Sequence, residues 1–151
     1  MSAPKLVLLV EDNPSDEKLT LRALQRCGVE HAVVVARDGA EAIDCVTGAG
    51  AWAGRGIGAT VALILLDLKL PRIDGLEVLR RVRAEQVTRW TPVVVLTASG
   101  EEEDLRASYA AGANAYLRKP VDFDRFVEAA RTICTFWLAL NEPPPAGKVA
   151  R

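Results

Sequence analysis

The sequence predicts an α/β fold, a doubly wound sheet of five parallel strands with helices packed on both faces. Five short apolar runs, of the kind that form strands buried on both faces, lie at residues 6–10, 32–36, 62–66, 92–96 and 115–117. A segment with apolar residues at helical spacing follows each run, which gives the order βαβαβαβαβα. Such regular alternation is typical of a parallel sheet covered by helices.

Each predicted helix has its own start signal. In chain order these are Asn13 as a cap followed by Pro14, Asp38 with Glu41 as a capping box, Gly75, Ser99 with Glu102 as a second capping box, and Asp122. The fifth helix carries an apolar stripe of Phe123, Phe126, Val127, Ala130, Cys134 and Trp137. We expect this stripe to face the sheet.

Length and charge narrow the functional classes. At 151 residues the chain has little room for a second folded domain. Its 19 basic residues against 20 acidic ones give a net charge of -1, which argues against a nucleic-acid partner. The N-terminus does not resemble a signal peptide and no apolar run is long enough to span a bilayer, so we expect a cytoplasmic protein without a membrane partner.

The isolated cysteines and the single histidine do not suggest a site. Cys27, Cys45 and Cys134 lack the paired spacing of a disulfide framework or a zinc site, so we expect small buried or half-buried side chains. His31 precedes the second strand, and we expect a surface or strand-edge histidine there instead of a phosphodonor.

Two segments fall outside the regular pattern. Residues 47–60 hold five glycines and match a relaxed dinucleotide-binding pattern at 48–53 and 54–59. That motif requires a strand before it and a helix after it, whereas here a helix precedes and a strand follows, so we predict a flexible surface loop. We expect one domain over residues 1–141 and a Pro-rich, disordered tail over 142–151.

The strand ends carry the groups that indicate chemistry. Glu11 and Asp12 follow the first strand, Asp67 the third, Thr97 the fourth and Lys119 the fifth. Singly, each could be a helix cap or a solvated side chain. Together they should meet in one crevice at the carboxyl edge of the sheet. Gathered carboxylates repel one another unless a cation is present, so this set predicts a site for Mg²⁺.

Four sequence blocks resemble the signature of response-regulator receiver domains. They are Val10-Glu-Asp-Asn13, Leu66-Asp-Leu-Lys-Leu-Pro71 with Asp74-Gly75, Val95-Leu-Thr-Ala98 and Tyr116-Leu-Arg-Lys-Pro120. They occur in the family's order, and the similarity covers residues 5 to about 138. The resemblance implies a flavodoxin-like (βα)5 fold. Its function would be Mg²⁺-dependent transfer of a phosphoryl group from a histidine kinase, without activity as an enzyme beyond self-catalysed phosphorylation and dephosphorylation.

The resemblance also implies roles for single residues. Asp67 would be the phosphoacceptor, and Glu11, Asp12, Asp67 and the backbone carbonyl of Lys69 would hold the metal. Thr97 and Lys119 would contact the phosphoryl oxygens. Glu11 departs from the Asp found in one common form of the acidic pair, but it still offers oxygen ligands.

Other features are similar to a narrower group, the receivers that partner cyanobacterial and bacterial phytochrome kinases. These features are the Asn-Pro-Ser-Asp start of the first helix, the loop after the second helix and the aromatic-rich last helix. By this resemblance the kinase partner would be a bacteriophytochrome and the protein would be a homodimer.

Three further expectations concern conformation and assembly. The Lys119–Pro120 bond is a candidate for a cis peptide, because cis bonds are inexpensive only before proline. Thr97 and Tyr116 are expected to form a switch that responds to phosphorylation. Phe136 and Leu140 point away from the apolar stripe of the last helix, so we expect them in a dimer interface.

Two other functional classes stay open from the sequence. Haloacid-dehalogenase-type phosphatases also use an aspartyl nucleophile and Mg²⁺, but their second Asp is replaced here by Lys69, two residues after Asp67. A pseudo-receiver that serves only as an interaction module would lack one of the essential groups, and all of them are present.

Overall fold

One parallel sheet and five helices make up the fold. The computed structural model describes residues 6–28, 32–120 and 122–145. The strands are β1 (Leu6–Val10), β2 (Ala32–Ala36), β3 (Val61–Leu66), β4 (Val93–Thr97) and β5 (Ala115–Arg118). The helices are α1 (Pro14–Arg26), α2 (Gly39–Thr47), α3 (Gly75–Ala84), α4 (Glu102–Ala110) and α5 (Phe123–Cys134). Strands and helices alternate, so the predicted fold class is confirmed.

The strand order determines where a site can form. The sheet runs β2-β1-β3-β4-β5, so the chain moves to one side of β1 to build β2 and to the other side to build β3. This reversal opens a crevice beyond the carboxyl ends of β1 and β3. The three inner strands are almost wholly buried, as predicted, whereas the edge strands β2 and β5 are only half-buried because each has a neighbour on one side alone.

Each face of the sheet has its own apolar core. Alternate residues of a strand point to opposite faces, so neighbouring residues of β1 and β3 belong to different cores. One core joins Leu8, Val10, Ile64, Leu66 and Val93 to buried residues of α2 and α3. The other joins Val7, Leu9, Leu63, Leu65 and Val94 to α1 and α5, including Val127, Ala130 and Cys134. The two cores hold the central strands, and therefore their carboxyl ends, in fixed positions.

Most of the predicted helix starts are confirmed. The side chain of Asn13 accepts hydrogen bonds from the backbone N–H groups of Ser15 and Asp16, and Asp38 accepts one from Glu41. The capping box predicted at Ser99 is wrong. Helix α4 begins at Glu102 with Glu101 at its N-cap position and without a side-chain cap. Oγ of Ser99 accepts from the backbone N–H of Glu101 at 3.2 Å, ahead of the helix, and its hydroxyl donates to the Asp104 carboxylate at 2.6 Å.

The glycine-rich segment packs more closely than the sequence predicted. It forms two short 3-10 turns, Gly50–Trp52 and Gly58–Thr60, and its Trp52 and Ile57 pack against the first core. Gly58 is buried, and a Cβ atom there would lie 2.7 Å from the carbonyl oxygen of Val46. The glycines therefore allow this segment to approach α2, although most of its residues are exposed, as expected of a surface loop.

The end of α5 widens before the helix stops. Residues Thr135–Leu140 form a π-helical turn, closed by a hydrogen bond of 2.7 Å from the backbone N–H of Asn141 to the carbonyl of Phe136. Trp137 packs against the second core, whereas Phe136 is 46% and Leu140 67% exposed. The predicted difference between these faces of the helix is therefore confirmed.

Several smaller expectations can be compared directly. Cys45 and Cys134 are buried and Cys27 is half-buried, as predicted. Every helix within the described residues is too short or too polar to cross a bilayer. His31 and residues 146–151 of the expected tail lie outside the described residues.

Candidate functional site

The site begins with two carboxylates held by the neighbouring central strands. The backbone N–H of Glu11 donates to Ala36 at 3.0 Å, and that of Asp67 donates to Val10 at 3.1 Å, so both residues continue the ladder of the sheet. Their side chains leave the ladder at its carboxyl edge, where Asp12 follows Glu11. Glu11 is 2% and Asp67 8% exposed, whereas Asp12 is exposed. Two of the three acids are therefore withdrawn from most of the solvent.

The loop after β3 bends sharply around Asp67. The backbone N–H of Lys69 donates to Oδ1 of Asp67 at 3.3 Å, and the N–H of Gly75 donates to the carbonyl of Leu68 at 3.0 Å. A Cβ atom on Gly75 would collide with the carbonyl oxygen of Asp67. The start of α3 can approach the site this closely only because residue 75 is glycine.

Lys119 joins the carboxylates from the far side. Its ammonium lies 2.7 Å from Oε1 of Glu11, 3.2 Å from Oδ2 of Asp67 and 2.9 Å from Oδ2 of Asp16. Its backbone N–H donates to the carbonyl of Thr97 at 2.7 Å, which fixes the end of β5 against the end of β4. The side chain of Lys119 is only 10% exposed, so its charge interacts mainly with these carboxylates and little with solvent.

The expected cis bond before Pro120 is wrong. Every peptide bond among the described residues is trans, including Lys119–Pro120. A cis bond was expected to turn the lysine into the crevice, but the flexible four-carbon side chain reaches the carboxylates from a trans backbone, which is the conformation of lower energy.

Burial and neighbouring charges shift the pKa values in the site. Burial raises the pKa of Glu11 to about 7, and the charge of Asp67 adds to this, although the Lys119 hydrogen bond acts in the opposite direction. Burial alone would lower the pKa of Lys119. Its hydrogen bonds to Glu11 and Asp16 and the charges of Asp67 and Glu11 outweigh burial, so its pKa lies above the usual range. Lys119 therefore stays a cation.

The arrangement suits a hard divalent cation. Glu11, Asp12 and Asp67 each offer a carboxylate oxygen, and these oxygens lie within 4.8 Å of one another. Octahedral ligands about 2.1 Å from Mg²⁺ are about 3–4 Å apart, so small side-chain rotations would bring three such atoms around one ion. The single ammonium of Lys119 cannot neutralise these acids together with Asp16, so the donor set fits the ion in charge as well as in size.

Beside the acids lies an open cavity of about 450 Å³. Its wall contains the following residues: Asp16, Asp67, Lys69, Thr97, Ala98, Ser99, Gly100, Glu101 and Lys119. Thr97 is the last residue of β4 and is 1% exposed. The carboxylate of Asp67 thus borders a space large enough for a phosphoryl group, with a hydroxyl and an ammonium in the same wall.

The residues predicted at the strand ends therefore lie together at the carboxyl edge of the sheet. Two further acids that were not predicted, Asp16 and Asp104, contact residues of this site. Asp16, in the first turn of α1, is paired with Lys119. Asp104 in α4 accepts a hydrogen bond from Ser99 and is paired with Lys69 at 3.3 Å. The position of Asp16 just after the site strand β1 was the available signal. No comparable sequence pattern marks Asp104, because it depends on how α4 packs beside the loop after β3.

A parallel α/β sheet with an acidic triad and a lysine at its switch point defines a class of phosphoryl-accepting signalling domains. Residues 7–131 match the family model described as the response regulator receiver domain. The chain therefore belongs to the response-regulator receiver family.

Individual relatives are similar over most of the chain. Response regulator Rcp1 of the cyanobacterium Synechocystis is 36% identical in sequence, and the match covers 95% of each chain. A structure of the Mn²⁺-bound form of Rcp1 has a TM-score of 0.81 and 35% identity, over 94% of this chain and 100% of that chain. The phosphorylated cyanobacterial phytochrome response regulator RcpA has a TM-score of 0.85 with 37% identity over 95% of this chain and 100% of its own. Bacteriophytochrome response regulator RtBRR is 50% identical, with a TM-score of 0.75, over 95% of this chain and 86% of its own.

These similarities decide between the functional classes that the sequence left open. The chain is a receiver of the response-regulator type that resembles the phytochrome group, and the phosphatase and pseudo-receiver classes are not favoured. Receivers of this family accept phosphoryl groups in two-component signalling, bind Mg²⁺ or Mn²⁺ in an acidic pocket and are not enzymes in the usual sense.

Proposed function

We propose that Asp67 accepts a phosphoryl group from a sensor histidine kinase, and that the partner of this chain is a bacteriophytochrome. The observation that carries the proposal is the position of Asp67. Its carboxylate borders the cavity, lies 3.2 Å from the Lys119 ammonium, and has an oxygen within 4.8 Å of oxygens of Glu11 and Asp12. The phytochrome partner is supported by the similarity to RcpA and RtBRR, whose names assign them to phytochromes. Histidine kinases use ATP, so we place the reaction in the cytoplasm.

The transfer requires only the displacement of a leaving group. An oxygen of Asp67 attacks phosphorus, the bond between phosphorus and the kinase imidazole nitrogen breaks, and the electron pair of that bond stays with nitrogen. Positioning and charge account for most of the catalysis of such a step. Lys119, already 3.2 Å from Oδ2 of Asp67, can neutralise the phosphoryl oxygens, and the hydroxyl of Thr97 can donate to one of them.

Glu11, Asp12 and Asp67, with the backbone carbonyl of Lys69, would hold Mg²⁺ in this proposal. When bound, the ion supplies charge stabilisation for the phosphoryl oxygens. The chain's own contribution is to keep these ligands together before the donor arrives. Glu11 does so through its burial and its bond to Lys119, and Asp67 through the backbone N–H of Lys69.

We further propose that the phosphoryl group acts through Thr97 and Tyr116, and that the protein works as a homodimer. Tyr116 donates from its hydroxyl to the carbonyl of Ser99 at 2.9 Å, two residues beyond Thr97. A movement of the Thr97 hydroxyl would therefore be transmitted through a short segment of backbone to the aromatic ring. Exposed Phe136 and Leu140 supply apolar surface for pairing of two copies.

The proposal is tested by labelling with radioactive phosphate from a phosphorylated histidine kinase or acetyl phosphate. We expect near-stoichiometric label on the wild type only when Mg²⁺ is present, and none on Asp67→Asn. Asp74→Asn is the matched control, since Asp74 lies outside the cavity and caps α3 with an oxygen that asparagine retains. Label that persists on Asp67→Asn or after complete chelation of the metal would reject the assignment of Asp67 and Mg²⁺.

A further inference from the structure

Lys69, which lines the cavity, forms an ion pair that the proposed transfer does not use. The Lys69 ammonium lies 3.3 Å from Oδ2 of Asp104, so it links the loop after β3 to the first turn of α4. The same carboxylate oxygen accepts a hydrogen bond of 2.6 Å from the Ser99 hydroxyl. Asp104 is thus the common partner of one residue from the phosphoacceptor loop and one from the loop after β4.

Lys69 is close enough to Asp67 for its ammonium to pair with an anion bound there instead of with Asp104. Its backbone N–H is already 3.3 Å from Oδ1 of Asp67, and the residue lines the same cavity. Its side chain is 67% exposed, so the long stem has solvent in which to turn. An ion pair whose lysine is this exposed contributes little to stability, so a new anion of higher charge nearby can compete for the lysine.

From these contacts we infer that Asp104 is a positioning residue that holds Lys69 away from Asp67 until a phosphoryl group arrives and takes the lysine over. This inference rests on the proposed function of Asp67. A phosphoryl group brings a charge of nearly two and three acceptor oxygens to the cavity, whereas Asp104 offers a charge of one. The exchange breaks one ion pair and forms another, without any covalent change.

The exchange also has a consequence for the rest of the site. Asp104 has two partners here, Lys69 and the Ser99 hydroxyl. When Lys69 leaves, only the bond to Ser99 remains, and the link between the loop after β3 and α4 is lost. Ser99 carries the carbonyl that accepts the Tyr116 hydroxyl, and its backbone N–H lies 3.4 Å from Oγ1 of Thr97. The lysine exchange therefore acts on the same backbone segment as the proposed switch.

The test is the affinity for beryllofluoride in the presence of Mg²⁺, because this anion imitates a phosphoryl group on an aspartate without hydrolysing. Asp104→Asn removes the competing charge and keeps a hydrogen-bond acceptor for Ser99. We expect it to tighten binding about 1.4-fold to fivefold, the range that corresponds to an exposed ion pair. Lys69→Met should weaken binding by a similar factor, and it tests the idea even if Asp104→Asn folds poorly.

Two controls separate the exchange from a general effect of charge. Glu101 lines the same cavity, while the ion pair of Lys69 is made with Asp104, so Glu101→Gln removes a nearby negative charge without releasing the lysine. In a Lys69→Met background, Asp104→Asn should have no further effect.

Each outcome has one meaning. Equal tightening by Glu101→Gln and Asp104→Asn, or an Asp104→Asn effect that survives in the Lys69→Met background, would overturn the inference. A wild type that binds beryllofluoride while Asp104→Asn binds it no better would also overturn it and leave the role of Asp67 intact. A wild type that neither binds the anion nor takes up phosphate would instead contradict the proposed function.

Discussion

Glu11 and Asp12 are neighbours in sequence but differ in exposure, and this difference matters for metal binding. Glu11 is 2% exposed, and burial raises the pKa of its carboxyl group to about 7. In the metal-free protein Glu11 therefore carries a proton over part of the range in which an exposed carboxyl group is ionised. A cation that needs the ionised form must displace that proton.

The raised pKa of Glu11 predicts that Mg²⁺ binding depends on pH. Below about pH 7 each ion displaces a proton, so the apparent affinity should fall by up to about tenfold per pH unit. Calorimetric titration in buffers of different ionisation enthalpy measures both the affinity and the proton release. Glu11→Gln is the control, because it should bind more weakly but lose this dependence. Affinity that stays constant in the wild type between about pH 5.5 and 7.5 would contradict the assignment of Glu11.

The raised pKa of Glu11 also affects the stability of the metal-free protein, but with the opposite dependence on pH: the affinity for Mg²⁺ rises with pH, whereas the contribution of Glu11 to stability falls. The folded protein holds the Glu11 proton up to about pH 7, whereas the unfolded chain releases it near the ordinary value of 4.5. Between these values the native state binds more protons, so this group lowers the free energy of unfolding as pH rises. Bound metal removes that cost, because it favours the ionised form. The Glu11 shift therefore opposes the stability of the metal-free protein at neutral pH, the raised pKa of Lys119 acts in the opposite direction, and bound metal adds stability.

At the scale of secondary-structure elements, the loop after β4 is the part of the fold best placed to report phosphorylation. Thr97 ends β4, Ser99 bonds to Asp104 of α4, and Tyr116 of β5 donates to the carbonyl of Ser99. Three elements are thus joined through three consecutive residues, 97–99. These contacts offer a route by which a movement at Thr97 would reach the start of α4 and the Tyr116 ring.

We predict that Thr97→Ala abolishes most of the phosphorylation-dependent change around Tyr116. Without the hydroxyl, the phosphoryl oxygens cannot draw this side chain inward, so the space that the ring would enter is not vacated. Amide spectra recorded with and without beryllofluoride measure the change, which should be large in the wild type for residues 98–117 and small in the variant.

Tyr116→Phe provides the matched control for the switch. It keeps the ring and removes only the hydroxyl that donates to Ser99, so spectral changes near Asp67 should remain while those of α4 shrink. If Thr97→Ala shifts as far as the wild type on binding the anion, Tyr116 is a half-buried strand residue without a role in the switch.

At the scale of the whole molecule, the end of the last helix exposes apolar side chains to solvent. Phe136 packs edge-on against Trp137, with ring centres 4.8 Å apart and planes at 87°, yet remains 46% exposed. Helix α4 also has exposed apolar side chains, Leu105 at 38% and Tyr109 at 51%. These large exposed aromatic and aliphatic side chains are of the kind that interfaces cover.

We predict that the protein is a homodimer formed by the surface of α4, β5 and α5, extended by the π-helical turn. Sedimentation at tens of micromolar should give a dimer for the wild type and a monomer for Phe136→Glu/Leu140→Glu, because a carboxylate on each side of a two-fold interface is repelled and desolvated. Val87→Glu/Trp90→Glu is the control, since these residues are 56% and 54% exposed on the turn that follows α3. A monomeric wild type, or a dimer that tolerates the first variant, would rule out this interface.

The local sequence was sufficient to determine the elements of this protein and most of its site. Apolar runs placed five strands, and helix caps such as Asn13 and Asp38 acted as predicted because each depends on residues within one turn. Glu11, Asp67 and Lys119 could be assigned to one crevice because parallel strands deliver their carboxyl ends to the same edge. This inference needs only the order of the elements.

Contacts between elements were decided only by the tertiary structure. The bonds of Asp16 to Lys119 and of Asp104 to Lys69 and Ser99 join residues from different elements, and no local pattern encodes such distances. The Ser99 capping box failed because α4 begins later, with Glu101 at its N-cap position, and the Ser99 hydroxyl group instead joins the N–H of Glu101 to the carboxylate of Asp104. Sequence fixes which groups reach the edge of the sheet, whereas packing of the helices and loops around that edge decides which of those groups are partners.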